Sequence, residues 1–136
     1  PYDTRERILA AAADLFAVRG FEGTSTRHIA AAVGIRQPSL FHHFPTKQAI
    51  LFAILTEHME TLLDAVAAAG IDGPPEARLD AFARFHIRYH LSRPDAVFLS
   101  YMELRALEPE NFAAIAAMRP GVSRSCSVSS RPSCCT

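Results

Sequence analysis

The sequence predicts an all-α fold. Apolar residues recur every three or four positions in successive segments, no stretch alternates apolar and polar residues as a strand does, and Pro and Gly fall at the segment ends. With 136 residues, 49% of them apolar and 21% charged, the chain is long enough for one compact unit, or a small head joined to a small body. That length excludes large multidomain enzymes.

Thr4 is a possible N-cap for a first helix, with Ile8, Ala12, Leu15 and Phe16 on one stripe and Arg5, Asp14 and Arg19 off it. Gly20 stops it. Thr24, Ser25 and Thr26 supply caps for a short helix through Ile29, Ala30 and Val33, closed by Gly34. Pro38 is tolerated only in a first turn, so residues 36–39 start a third helix that runs over Leu40 to Phe44 and ends at Pro45. Thr46 caps the next, whose apolar face from Lys47 to about Ala69 spans roughly 35 Å at 1.5 Å per residue. The breaker run at residues 70–75 follows. Leu79, Phe82, Phe85, His86 and Tyr89 share a helical face to about Ser92; Pro94 opens a helix through Leu107, and Pro109 opens another through Met118.

This divides the chain into a helix-turn-helix head at residues 1–48, a helical body at 49–119 and a tail at 120–136. The tail holds six Ser, three Cys and two Arg between residues 121 and 136, with no apolar periodicity, and is expected to be disordered. It reads as unrelated to the helix it interrupts, as a frameshift leaves it. All three cysteines lie there, offering neither a disulfide framework nor a metal spacing, so a reducing cytoplasm is the expected location. The longest early apolar run, Ile8 to Ala13, is far short of the roughly 20 residues of a membrane span, and Asp3, Glu6 and Asp14 break any secretory pattern. A few residues are expected to precede Pro1.

Fourteen basic residues balance fourteen acidic ones, so only their distribution is informative. From Gly23 to Thr56 there is no Asp or Glu, while Arg27, Arg36 and Lys47 stand among His28, His42 and His43; from Glu57 to Glu110 ten acids face five arginines. A cationic head on an anionic body suits phosphate contact. Residues 26–44 supply helix, glycine turn and helix, an outline that many small helical proteins share.

Residues 5–51 carry a fuller pattern: Ile8-Leu9-Ala10-Ala11-Ala12, Leu15-Phe16, Gly20-Phe21, Thr24-Ser25, Ile29-Ala30, Val33-Gly34-Ile35 and Ser39-Leu40-Phe41-His42-His43-Phe44-Pro45-Thr46-Lys47. This resembles the N-terminal domain of the tetracycline-repressor (TetR) family of bacterial transcriptional regulators, and the later helices to about residue 119 are similar to that family's ligand-binding domain. The resemblance implies a regulator, most simply a repressor, that reads a near-palindromic operator in double-stranded DNA through a recognition helix at residues 37–44. Gln37 and Ser39 lie where such a helix meets base edges, and Gln pairs adenine N6 and N7. Pro38 offers apolar contact alone. The resemblance assigns phosphate contacts to His42, His43 and Lys47, with Thr26, Arg27 and Arg36 as further contacts. Two positions depart from the family pattern: Phe41 replaces a Tyr and loses a hydroxyl, and Arg36 replaces a Ser cap. The bland alternatives are a solvated surface for His42 and His43 and an ordinary helix start for Lys47.

In the body, Phe82, Phe85, His86, Tyr89, Phe98, Tyr101, Met102 and Arg105 are the pocket candidates, although each aromatic alone is equally a core residue. The resemblance implies a small effector bound here. Residues 103–111 are similar to a branch of lipid- and sterol-catabolism repressors whose effectors are acyl-CoA thioesters; in that reading Arg105 faces an acid group, or else pairs with Glu103 or Glu108. His86 and His90 have metal-ligand spacing, but the Glu of a zinc peptidase is missing and Arg88 lies between them. Neither a metal, a cofactor nor a catalytic activity is expected. The family's homodimer helices would follow residue 119, so stable dimerisation is expected to be impaired. The rival reading is a helical small-molecule or metal-binding module that does not read DNA.

Overall fold

The computed structural model describes residues 3–118, and the Ser/Cys-rich tail and the expectation of impaired dimerisation lie outside them. The described residues form α1 (Thr4–Arg19), α2 (Thr26–Val33), α3 (Gln37–His43), α4 (Lys47–Ala68), α5 (Pro75–Ser92), α6 (Pro94–Met102), a 3-10 turn (Leu104–Ala106) and α7 (Pro109–Met118). No strand occurs among them.

The head is α1, α2 and α3 with the first turns of α4. Ile8, Ala12 and Phe16 of α1, Ile29 of α2, Leu40 of α3 and Ile50 of α4 are fully enclosed. Each of these side chains other than Ala12 contributes about 1.5–3 kcal/mol on burial. The Phe16 and Phe21 rings meet at 5.3 Å, so the α1–α2 turn packs back onto the helix it leaves. Gly34 ends α2 at φ 76, a left-handed conformation that favours glycine, and points the chain into α3. At Gly23 any Cβ would collide with the Arg19 carbonyl, so that turn admits no side chain.

Caps follow the expected chemistry with one exception. Ser25 and His28 form a reciprocal box, each accepting from the other's backbone N–H, and Thr46 accepts from Ala49 N at 3.0 Å. Thr4 is no cap: it lies inside α1, and Asp3 holds the cap position without a side-chain bond.

One continuous core runs from the head through Leu55 and Met59 of α4 to Leu99, Leu107 and Ile115. α1 and α4 carry it, both packing on α6. α5 is the outlier, since Tyr89 is its single buried residue. The helix expected from Pro94 to Leu107 stops at Met102. Glu103 leaves it to reach Phe21, and the 3-10 turn then seats Leu107 in the core.

Candidate nucleic-acid interface and body cavity

Leu40 and Phe44, four residues apart, are both buried, and this fixes which side of α3 faces out. Pro38, Ser39, Phe41, His42 and His43 are all exposed, and the two histidine rings lie edge-on at 5.8 Å. Arg36 is exposed at the N-cap and makes no side-chain cap bond, so α3 starts uncapped with a cation at its mouth.

Gln37 and Thr26 are brought together directly, Gln37 Nε2 donating to Thr26 Oγ1 at 2.8 Å. This bond ties the front of α3 to the front of α2 and uses one of the amide's two N–H groups. The other N–H and the carbonyl are the pair that adenine recognition needs. Arg27 is exposed beside Thr26.

Lys47 is placed differently from its neighbours. It is half-buried, its ammonium donates to the Phe21 carbonyl at 2.8 Å and it sits 4.0 Å above the Phe21 ring. In the free protein its charge holds the α1–α2 turn. Arg7, which the sequence did not single out, donates to the Val33 carbonyl at 2.7 Å and so stabilises the C-terminal end of α2.

In the body, α4, α5 and α6 line a cavity of about 340 Å³ that opens to solvent past the exposed Phe82 and Tyr101. Of the residues expected at a pocket, Phe82, His86 and Tyr101 line it. Phe85 and Tyr89 instead line a groove on another face of α5, with Ile71 and Arg88. Phe98, Met102 and Arg105 are exposed and line neither space. Sequence reasoning missed His58, Met59, Leu62, Leu63, Val66 and Ser100 as lining residues. The α4 stripe was legible as an apolar face, and His58, four residues before Leu62, shares it; what was not legible is that this stripe faces a space rather than a neighbour. His86 and His90 stand with ring centroids 3.9 Å apart, and among the described residues no group of three His, Cys, Asp or Glu is placed to hold a metal ion.

Head and body are joined by polar bonds across long sequence distances. Glu103 Oε1 accepts from Phe21 N at 3.0 Å. Gln48 donates to the Ala106 carbonyl at 2.6 Å and accepts from Glu108 N at 3.3 Å. The segment that follows α6 therefore clasps both the α1–α2 turn and the first turn of α4.

Residues 8–54 match the model of bacterial regulatory proteins of the tetR family, and residues 72–127 match that of the tetracyclin repressor-like C-terminal domain. The chain belongs to the TetR family. The second match runs beyond residue 119, where the sequence reading ends the body. This TetR-family chain is 31% identical over 105 residues to the HTH-type transcriptional regulator RutR of Escherichia coli (strain K12), covering 77% of the chain and 50% of RutR. It superposes with TM-score 0.80 and 33% identity on a tetR-family regulatory protein from Rhodococcus RHA1, over 88% of this chain and 63% of that one. It superposes with TM-score 0.76 and 32% identity on AibR, solved in complex with isovaleryl coenzyme A and operator DNA, over 85% of this chain and 64% of AibR. The chain thus spans about half the length of RutR. No helix among the described residues is long and apolar enough to cross a membrane.

Proposed function

We propose that this chain is a DNA-binding transcriptional regulator, a repressor controlled by a small molecule held in the body. The observation that carries the reading is the outward face of α3: buried Leu40 and Phe44 turn Ser39, His42 and His43 to solvent on a head without an acid from residue 23 to residue 56. In this reading α3 enters the major groove, Gln37 and Ser39 meet base edges, and Thr26, Arg27, Arg36, His42 and His43 hold phosphates on either side. Pro38 and Phe41 supply apolar contact. Lys47 joins the phosphate contacts only if its bond to Phe21 is exchanged.

Control follows from the clasp. Tyr101 lines the cavity two residues before Glu103, so a ligand that displaces the end of α6 pulls on the α1–α2 turn and on Gln48 together. An effector acts by preferring one arrangement of the head, and its effect is bounded by that difference in affinity. An acyl-CoA-type effector is favoured by the likeness to AibR, whose structure holds isovaleryl coenzyme A; at about 340 Å³ the cavity suits the acyl part.

Selection of bound fragments from random duplexes, followed by fluorescence anisotropy against salt, tests this. The expected result is an enriched half-site and an affinity that falls steeply with salt, weakened further in Lys47→Ala and His43→Ala. No enrichment together with a flat salt response would sink the proposal.

A further inference from the structure

Three imidazoles from two helices face the same cavity: His58 from α4, and His86 and His90 from α5. The His86 and His90 rings are 3.9 Å apart, and Tyr101 of α6 stands 6.3 Å from His90. The His90 Nε2 atom is shut off from solvent and has no hydrogen-bond partner. Buried polar atoms are rarely left unmatched, and Thr56 Oγ1 of α4 is in the same state.

The resolved charge effects on these rings come from cationic groups. Burial, then the positive charges of His90 and Arg93, hold His58 below its ordinary range; burial, then His86, does the same to His90. Tyr89 presents only its ring to His58, at 6.2 Å. No Asp or Glu lines the cavity. His58 also lines a second groove, which it shares with Glu6 of α1, Glu57 of α4, Asp95 of α6 and Arg93. Glu57 is already held by Arg5 at 2.9 Å. The rest of the cavity wall is apolar, from Met59, Leu62, Leu63, Val66 and Phe82, apart from Ser100, whose hydroxyl donates to the Val97 carbonyl.

We propose that the cavity binds a small apolar carboxylic acid as its carboxylate, seated between His90 and His58, with the carbon skeleton against Met59, Leu62 and Val66. This rests on the reading of the cavity as the effector site. It narrows that reading to acids small enough for about 340 Å³, near the lower end of the roughly 300–1,000 Å³ of small-molecule cavities. Binding takes up one proton. The carboxylate enters ionised, an imidazole neutral in the empty cavity accepts a proton from solvent, and the resulting pair forms a charge-assisted hydrogen bond. The bound imidazole therefore titrates at higher pH than the empty one. Between those two values affinity falls about tenfold for each pH unit of increase, and it is flat on either side.

Isothermal titration of the full chain with octanoate and with octanamide, at about pH 6 and pH 8 in buffers of different ionisation heat, tests the proposal. Octanoate is expected to bind at least about tenfold more tightly at the lower pH with uptake of about one proton, and octanamide to bind weakly at both. His90→Phe and His58→Phe are expected to abolish the proton uptake and to flatten the pH dependence of octanoate binding. Octanoate binding that is flat with pH, or matched by octanamide, overturns the acid proposal and leaves the effector cavity standing. Binding of neither probe overturns both.

Discussion

Thr24 shows how a single polar group is made compatible with the head core. It is 1% exposed, and its Oγ1 lies 2.9 Å from the Gly20 carbonyl and 3.2 Å from that of Leu15. Thr24→Val keeps the shape but strips the donor from a buried carbonyl, so urea unfolding should show a loss of about 1–2 kcal/mol. His58 is the converse, a titratable group whose burial is only partly compensated. Its proton leaves at lower pH in the folded chain than in the unfolded one, where the value is about 6.5. Below about 6.5 the unfolded chain binds the extra proton, so stability should fall as pH drops through that value towards the folded one. Denaturation midpoints from about pH 5 to pH 8 check this, and His58→Phe should flatten the curve. Residues of both kinds were legible by type but not by environment: Thr24 reads as one of three cap candidates, and only the fold selects Ser25 for the cap and buries its neighbour.

At the scale of elements, α3 is short and depends on its ends. Seven residues are too few to hold a helix by propensity, and α3 is kept in place by Leu40, Phe44 and the Gln37 bond to Thr26. Its N-cap is the weak point, since Arg36 makes no side-chain cap bond. Arg36→Ser should therefore act in two opposite directions. Thermal or urea unfolding should show a gain of about 0.5–1 kcal/mol from the new cap. The same variant should bind duplex DNA more weakly, with a salt slope shallower by about one, because one phosphate contact is lost. An unchanged slope would remove Arg36 from the phosphate contacts. Helix periodicity made most element bounds readable, and α4 at Lys47–Ala68 differs from its expected end by one residue. At Met102 nothing local in the sequence stops a helix, and the break falls where Glu103 meets a partner 82 residues away.

Across the whole molecule the decisive feature is the joint between head and body. The Glu103 bond to Phe21 N and the two Gln48 bonds join the core halves, and in the proposed reading a ligand-induced shift of α6 passes through them. Glu103→Ala leaves the Phe21 N–H without its acceptor and should cost about 1.5–3 kcal/mol. Operator affinity without effector should change less than the effector response, which should shrink at least severalfold. Anisotropy titrations with and without the effector separate the two, and an undiminished response would show that the head is moved by another route. Lys47 belongs to this joint as much as to the head, since it holds the carbonyl of the residue whose N–H Glu103 holds.

By itself the sequence determined the all-α class, the helix-turn-helix outline and the sorting of cations into the head, because periodicity, breakers and charge are local properties of a chain. The TetR-family membership was legible for the same reason, through a run of residues whose spacing is fixed by one short three-helix unit. Only the tertiary structure decided which aromatics face the cavity, that Lys47 is clasped inward and that three histidines from two helices line one space. Those outcomes depend on how helices distant in sequence are rotated against one another, and packing sets that rotation through contacts that no local pattern encodes.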